Sequence, residues 1–313
     1  MPIPLLDPDV AERIASLGHL EPMRKRGLSA VRTGLESMPL PGGLPEMVDI
    51  SARTIPGPHG DIPLRIYRPA FDQNAPVLVH LHGGGLVMGS NASFEPLARN
   101  LAGVTGATVV GVDYRLAPEY APPVQFDESY AATAWVADHA VELGIDATRL
   151  AVVGDSAGGA LAASVALAAR DRGGPDILCQ VLLYPGLDRD MGAASMVAMP
   201  DAPMLERDDI FFMHETADAD AGEPQDPYRL PAYAADLSGL PQAIVVTGEC
   251  DPIRDWGERY AQRLRDARVQ TTLTRYPGVL HGFLMRAESA RARLAIAETG
   301  LLLRAKFTHP LPF

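Results

Sequence analysis

The sequence predicts an α/β fold: a mostly parallel central sheet with helices on both faces and a helical cap over one end. Three observations carry that prediction. From about residue 76 onward, short apolar runs alternate with helical stretches, the rhythm of a parallel sheet built from crossover units. In the middle of this rhythm Leu150-Ala151-Val152-Val153 leads into Gly154-Asp155-Ser156-Ala157-Gly158-Gly159 and then into Ala160–Ala169, so a strand, a glycine-flanked serine and a helix follow in immediate succession. Between Tyr184 and Leu240 the rhythm breaks for far longer than an ordinary crossover.

Taken in order, the chain begins with helical pieces, Asp9–Leu17 and Glu21–Met38, ended by Pro39, Pro41, Gly42, Gly43 and Pro45. Two strand-like segments, Met47–Ile55 and Ile62–Tyr67, flank Pro56-Gly57-Pro58-His59-Gly60-Asp61, a hairpin signature. Pro76–Leu81 is a nearly continuous apolar strand that ends in His82-Gly83-Gly84-Gly85. Phe94–Val104 reads as helix, Ala107–Val112 as buried strand and Gln125–Leu143 as one long helix. Beyond the glycine-flanked serine, Val181–Tyr184, Ala243–Thr247 and Thr271–Tyr276 read as strands, and Trp256–Ala267 and Glu288–Lys306 as the last helices.

The long insertion holds Leu205–Thr216, with Phe211, Phe212 and Met213, and then the acidic, small-residue stretch Ala217–Glu223. Residues 1–45 and 186–238 are read as the cap, and residues 46–185 and 239–313 as the α/β domain beneath it.

Composition sets outer limits. With 313 residues, 47% hydrophobic and 21% charged, the chain has enough apolar surface for one large domain and a small accessory one. A formal net charge of -12 argues against nucleic acid and against anionic membrane surfaces, both of which call for basic patches. Cys179 and Cys250 provide neither a disulfide framework nor metal-ligand spacing, and both read as buried free thiols. The first twenty residues carry Asp7, Asp9, Glu12 and Arg13 and lack a signal-peptide layout, and no apolar run reaches transmembrane length. The expectation is a soluble, cytoplasmic protein with no membrane insertion. A last strand at Thr271–Tyr276, left at a sheet edge, would let two copies pair as a homodimer.

Acyl transfer by serine needs a nucleophile, a base, an acid that orients the base, and donors for the oxyanion. Each has a candidate here, in the chain order nucleophile, acid, base. Ser156 is the nucleophile: a serine between glycines at a strand-to-helix turn stands clear of both elements, at a helix N-terminus that favours developing negative charge. His281, on a loop after the last strand, is the base. His19, His59, His80, His139, His214 and His309 lack that setting, and His82 at a strand end suits a structural hydrogen bond. Asp251 follows a strand, with Pro252 fixing its turn, and is favoured as the acid over Glu249 and over Asp255, which reads as a helix cap or loop brace. The N–H groups of Gly83, Gly84 and Ala157 are assigned as oxyanion donors, with Gly85 shaping the loop. Leu86, Val87, Phe211, Phe212, Met213 and Phe283 are candidate pocket walls, the alternative for the cap residues being plain cap-to-core packing.

His82-Gly-Gly-Gly85, Asp113-Tyr-Arg-Leu-Ala-Pro-Glu119, Gly154-Asp-Ser-Ala-Gly-Gly159, Asp251-Pro-x-x-Asp255 and His281-Gly-Phe283 together resemble the hormone-sensitive-lipase-like esterases of the α/β-hydrolase superfamily, the bacterial family IV branch with a GDSAG elbow. The motifs span residues 76 to 283 in the family's order and spacing. The resemblance implies an α/β-hydrolase fold and a carboxylesterase for short- to medium-chain acyl esters, acting on a small-molecule ester without metal or organic cofactor. It also implies a cap built from the N-terminal helices and the insertion, and a structural loop at Asp113–Glu119 with Arg115 and Glu119 paired.

Two departures bear on substrate preference: Leu86 follows the glycines where an aromatic residue is common, and Tyr120-Ala121-Pro122-Pro123 replaces the usual loop ending. A non-catalytic small-molecule receptor on the same fold is the rival from another class. It would need no base, and His281 argues against it. Amide, lactone or carbamate hydrolysis by the same triad stays open, whereas a dinucleotide binder fails because residues 154–159 are not G-x-G-x-x-G.

Overall fold

Strands that read as continuous apolar runs are those buried on both faces, and here they form the centre of one eight-stranded sheet. The structure, a computed structural model, describes residues 4–18, 21–218 and 226–310. Helices α1 (Pro8–Leu17), α2 (Met23–Arg26) and α3 (Leu28–Glu36) open the chain, the run expected from Glu21 to Met38 being divided at Gly27. Strands β1 (Asp49–Ile55) and β2 (Ile62–Arg68) form the antiparallel hairpin, with Ile55 opposite Ile62. Then follow β3 (Ala75–Leu81), α4 (Glu95–Thr105), β4 (Thr108–Val112), α5 (Val124–Asp138), α6 (Ala140–Leu143), β5 (Ile145–Asp155) and α7 (Ala157–Arg172). The remainder is β6 (Cys179–Leu183), α8 (Ala194–Ala198), α9 (Arg207–Asp218), β7 (Gln242–Gly248), α10 (Arg254–Asp266), β8 (Thr271–Tyr276) and α11 (Ala290–Thr308).

The strand order is β1-β2-β4-β3-β5-β6-β7-β8, parallel from β4 to β8 and antiparallel at β1 and β2. Val79, Leu81, Val152 and Val245 point to one face, covered by α5, α7 and α10 through Phe126, Val165 and Tyr260. Leu78, Val109, Val153 and Val246 point to the other, covered by α4 and α11 through Leu101 and Leu303. From β3 the chain winds one way to β4, and from β5 the other way to β8, so the sheet changes winding direction between β3 and β5. The loops leaving those two neighbouring strands part to opposite sides and open a crevice at their carboxyl ends.

Over that crevice lies a second apolar layer. Met23 and Val31 of the N-terminal helices pack with Met196, Ile210 and Met213 of the insertion and with Trp256 of α10. The Met23 N–H donates to Asp209 Oδ1 at 2.6 Å, tying α2 to α9. Helix α1 adds Val10 and Ile14 against Met204 and Leu280. Of the acidic stretch read at Ala217–Glu223, residues 219–223 lie outside the described residues, as does His19.

Two local expectations need correcting. The helix read as Gln125–Leu143 ends at Asp138, because the His139 ring stacks on Trp135 and its Nδ1 donates to the Trp135 carbonyl at 2.9 Å, diverting the chain before α6. Arg115 does not pair with Glu119. Its guanidinium meets the fully buried Glu128 of α5, and Glu119 takes Arg32 of α3 instead, at 2.7 Å. A buried carboxylate has no water to solvate it and captures the nearest guanidinium, while Glu119 lies at the surface within reach of a cation from the covering layer.

Candidate active site

Ser156 sits where β5 turns into α7, with φ +55° and ψ -119°. A left-handed backbone is strained for any side chain, and it is tolerated here because both flanks are clamped. A Cβ on Gly154 would stand 1.9 Å from the Gly158 carbonyl oxygen, and one on Gly158 would stand 1.9 Å from the Leu81 oxygen of β3. The glycines of G-x-S-x-G are therefore obligatory for packing, and the turn they permit lifts the serine hydroxyl to the crevice. The Ser156 N–H is anchored to the Leu183 carbonyl at 2.9 Å.

His281 Nε2 lies 2.8 Å from Ser156 Oγ, and His281 Nδ1 lies 2.8 Å from Asp251 Oδ2. A carboxylate can only accept, so Nδ1 carries the proton and Nε2 is left to accept from the serine hydroxyl. Asp251 has no solvent exposure and its other oxygen accepts the Ile253 N–H at 2.9 Å, which fixes its orientation. The rival carboxylates are engaged elsewhere. Glu249 accepts the Gly278 N–H at 3.0 Å, and Asp255 accepts the Ser195 N–H at 2.8 Å and so braces the insertion against α10. Tyr184 packs its ring edge-on beneath the imidazole, 5.1 Å between centroids.

The oxyanion assignment changes at one residue. The Gly83 N–H is consumed by Asp155, donating to its Oδ1 at 3.1 Å, so Gly83 has no donor to offer a substrate. The next two glycines, with φ of +109° and +63°, turn their N–H groups away from every acceptor among the described residues, and Ala157, first residue of α7, is likewise without an acceptor. Gly84, Gly85 and Ala157 are the free donors around Ser156. Sequence reasoning missed the role of Asp155. The signal was its own chemistry: a buried carboxylate must find donors, and it takes both the Gly83 N–H and the ring of His80, 3.3 Å away in β3. His82 is structural, its Nδ1 donating to the Gly83 carbonyl at 2.8 Å and its ring stacked between Phe94 and Tyr114. Burial pushes the His82 pKa down, which keeps the ring neutral.

Arg32 of α3 reaches into this loop from the covering layer. Its guanidinium donates to the carbonyls of Val87 at 2.6 Å and Ala117 at 2.7 Å as well as to Glu119. That hydrogen bond holds the Glu119 carboxyl down to about 2.

Two cavities flank the Ser156–His281 pair. One, of about 70 Å³, is walled by Ser156, Leu86, Met213, Ile210 and Trp256, with Arg189 and Arg229 at its end. The other, of about 140 Å³, has His281 and Phe283 in its wall. Of the expected pocket residues, Leu86 and Met213 line the first and Phe283 the second. Val87, Phe211 and Phe212 line neither: Val87 is fully buried in the apolar layer, Phe211 is turned outward beside Arg207, and Phe212 lies against Arg24. Helical periodicity sends Met213 inward and Phe211 outward, with Phe212 half-buried between them. A larger groove, of about 820 Å³ and lined by Arg149, Arg170 and Asp176, lies at the opposite, amino-terminal ends of the strands, away from this chemistry. Burial raises the thiol of Cys179 to about 12 and that of Cys250 to about 11, so neither is a nucleophile near neutral pH. Among the described residues no helix is long and apolar enough to cross a membrane, and no three His, Cys, Asp or Glu side chains are grouped to hold a metal.

A serine in a strained strand-to-helix turn, a histidine relay to a buried aspartate and a glycine loop of free donors, all at the carboxyl ends of a parallel sheet, define an α/β-hydrolase. The α/β-hydrolase fold family matches residues 78–285, and the chain belongs to it, in the branch of hormone-sensitive-lipase-like esterases. Carboxylesterase NlhH of Mycobacterium tuberculosis is 40% identical over 289 residues, 90% of this chain and 90% of that protein. Esterase LipI of the same organism is 39% identical over 290 residues, 90% of this chain and 89% of the relative. Among solved structures, an ester-hydrolase from the metagenome of Lake Arreo superposes with a TM-score of 0.92 at 33% identity, covering 97% of this chain and 100% of that one.

Proposed function

We propose that this chain hydrolyses carboxylic esters of small molecules, with Ser156 as nucleophile, His281 as general base and acid, and Asp251 as the group that orients the imidazole. One observation carries the reading: the unbroken relay from Asp251 through His281 to Ser156, two contacts of 2.8 Å each. Ser156 attacks the ester carbonyl as His281 takes its proton. The oxyanion is held by the N–H groups of Gly84, Gly85 and Ala157, whose fixed dipoles need no reorganisation as charge develops. His281 then protonates the departing alcohol; water, giving its proton to His281, attacks the acyl-enzyme, and the Ser156 oxygen leaves as His281 returns the proton, releasing the acid.

The narrow apolar cavity beneath Ser156 favours short and medium acyl chains. The test is a kcat/KM series over p-nitrophenyl esters of rising chain length. The expected result is a maximum at short or medium chains and a loss of roughly 10⁴-fold or more in Ser156→Ala. A steady rise to long chains would refute the substrate class, and near-normal turnover in Ser156→Ala would refute the mechanism.

A further inference from the structure

In the wall of the second cavity beside the catalytic pair stands a guanidinium with no hydrogen-bond or ion-pair partner among the described residues. Its walls are His281, Leu280, Phe283 and Met204, and Arg13 and Arg286 stand at its edge. Arg13 is engaged, its Nη1 donating to Glu288 Oε1 at 2.8 Å. Asp9, the other carboxylate there, accepts the N–H of Val10 at 2.9 Å and of Ala290 at 3.3 Å. The side chain of Arg286, only partly exposed, makes no hydrogen bond or ion pair with any described residue. Burial and the like charge of Arg13 work against its charged form and outweigh the attraction of Glu288, so an anion arriving there would relieve an unfavourable arrangement.

The histidine decides which part of a substrate meets this cavity. The leaving oxygen must come within hydrogen-bond reach of His281 Nε2 to be protonated, so the alcohol half of the ester lies on the histidine side. The acyl half is directed to the other cavity, under Ser156. A space near 140 Å³ holds about one aromatic ring or a short branched chain. We propose that the cavity walled by His281 and Arg286 receives the alcohol half, and that Arg286 binds a carboxylate carried on it, making acylated hydroxy acids the preferred substrate class. The inference rests on the roles proposed above for Ser156 and His281.

The test compares meta-acetoxybenzoate with its neutral counterpart meta-acetoxybenzamide. Wild-type enzyme should show a kcat/KM ratio favouring the acid by about tenfold or more, expressed mainly in KM, as a charge-assisted hydrogen bond in a half-buried site delivers. In Arg286→Met the ratio should collapse toward one, and Arg286→Lys, which keeps the charge but loses the bidentate fork, should retain part of it. With p-nitrophenyl acetate as the reporter, meta-hydroxybenzoate should inhibit wild-type enzyme competitively and meta-hydroxybenzamide should not. A wild-type ratio near one, or a ratio that survives Arg286→Met, overturns the proposal. Sulfate inhibiting as strongly as meta-hydroxybenzoate also overturns it, because the site would then take a free anion. Hydrolysis of p-nitrophenyl acetate that depends on Ser156 separates failure of this proposal from failure of the esterase mechanism.

Discussion

At the scale of single residues, the site is built from atoms that cannot be moved by a methyl group. The backbone of Ser156 at φ +55° exists because Gly154 and Gly158 let β3, β5 and α7 approach within the radius of a side chain. Gly158→Ala, whose Cβ would lie 1.9 Å from the Leu81 oxygen, should cost about 1–3 kcal/mol of stability and most of the activity, read by denaturant titration and by ester turnover. Asp251→Asn should leave the fold intact and lower kcat by roughly 10⁴-fold, since the amide would favour the wrong imidazole tautomer. Asp155 acts one step further out. Asp155→Asn should loosen the Gly83 turn that aims the two free glycine donors, and the measurable outcome is a fall in kcat larger than any rise in KM.

Among elements, the covering layer does more than close the crevice. Helix α3 grips the backbone after the glycine loop through Arg32, and α9 places Met213 against Gly85, where an added Cβ would stand 2.3 Å from its sulfur. Met213→Ala should lengthen the cavity under Ser156 and move the chain-length optimum toward longer acyl groups in the p-nitrophenyl series. Arg32→Ala should leave the carbonyls of Val87 and Ala117 without their donor and lower kcat for every ester alike, because it disturbs the loop and not the acyl wall. The strands were legible as apolar runs, and the elbow was legible as a motif. The division of the Gln125–Leu143 stretch at His139 was not, because a histidine ring folding back on a tryptophan four residues earlier is invisible to helix periodicity.

Across the whole molecule, the parallel sheet buries ionisable groups at its active end, and these couple stability to pH. His82 is held below its ordinary value of 6.5 by burial, so in mild acid the unfolded chain binds a proton that the folded chain does not. Its contribution is complete above about pH 6.5 and is lost as pH falls toward the lowered folded value. Thermal midpoints should therefore fall between pH 7 and 5, and fall less in His82→Gln. The Arg32–Glu119 pair behaves differently. With Glu119 lowered from 4.5 to about 2, its contribution persists through mild acid and disappears only across that lower range.

The sequence by itself determined the α/β alternation, the chain order of the serine, aspartate and histidine that the fold brings together, and the glycines of the elbow. These follow from short-range sterics and burial, which neighbouring residues settle among themselves. Only the tertiary structure decided which glycine N–H groups stay free, which arginine Glu119 takes, which residues of the insertion face the serine, and that Arg286 lines a cavity with His281 while pairing with no described residue. Those outcomes depend on competition for hydrogen-bond partners and space among segments remote in the chain. No local pattern records which competitor wins.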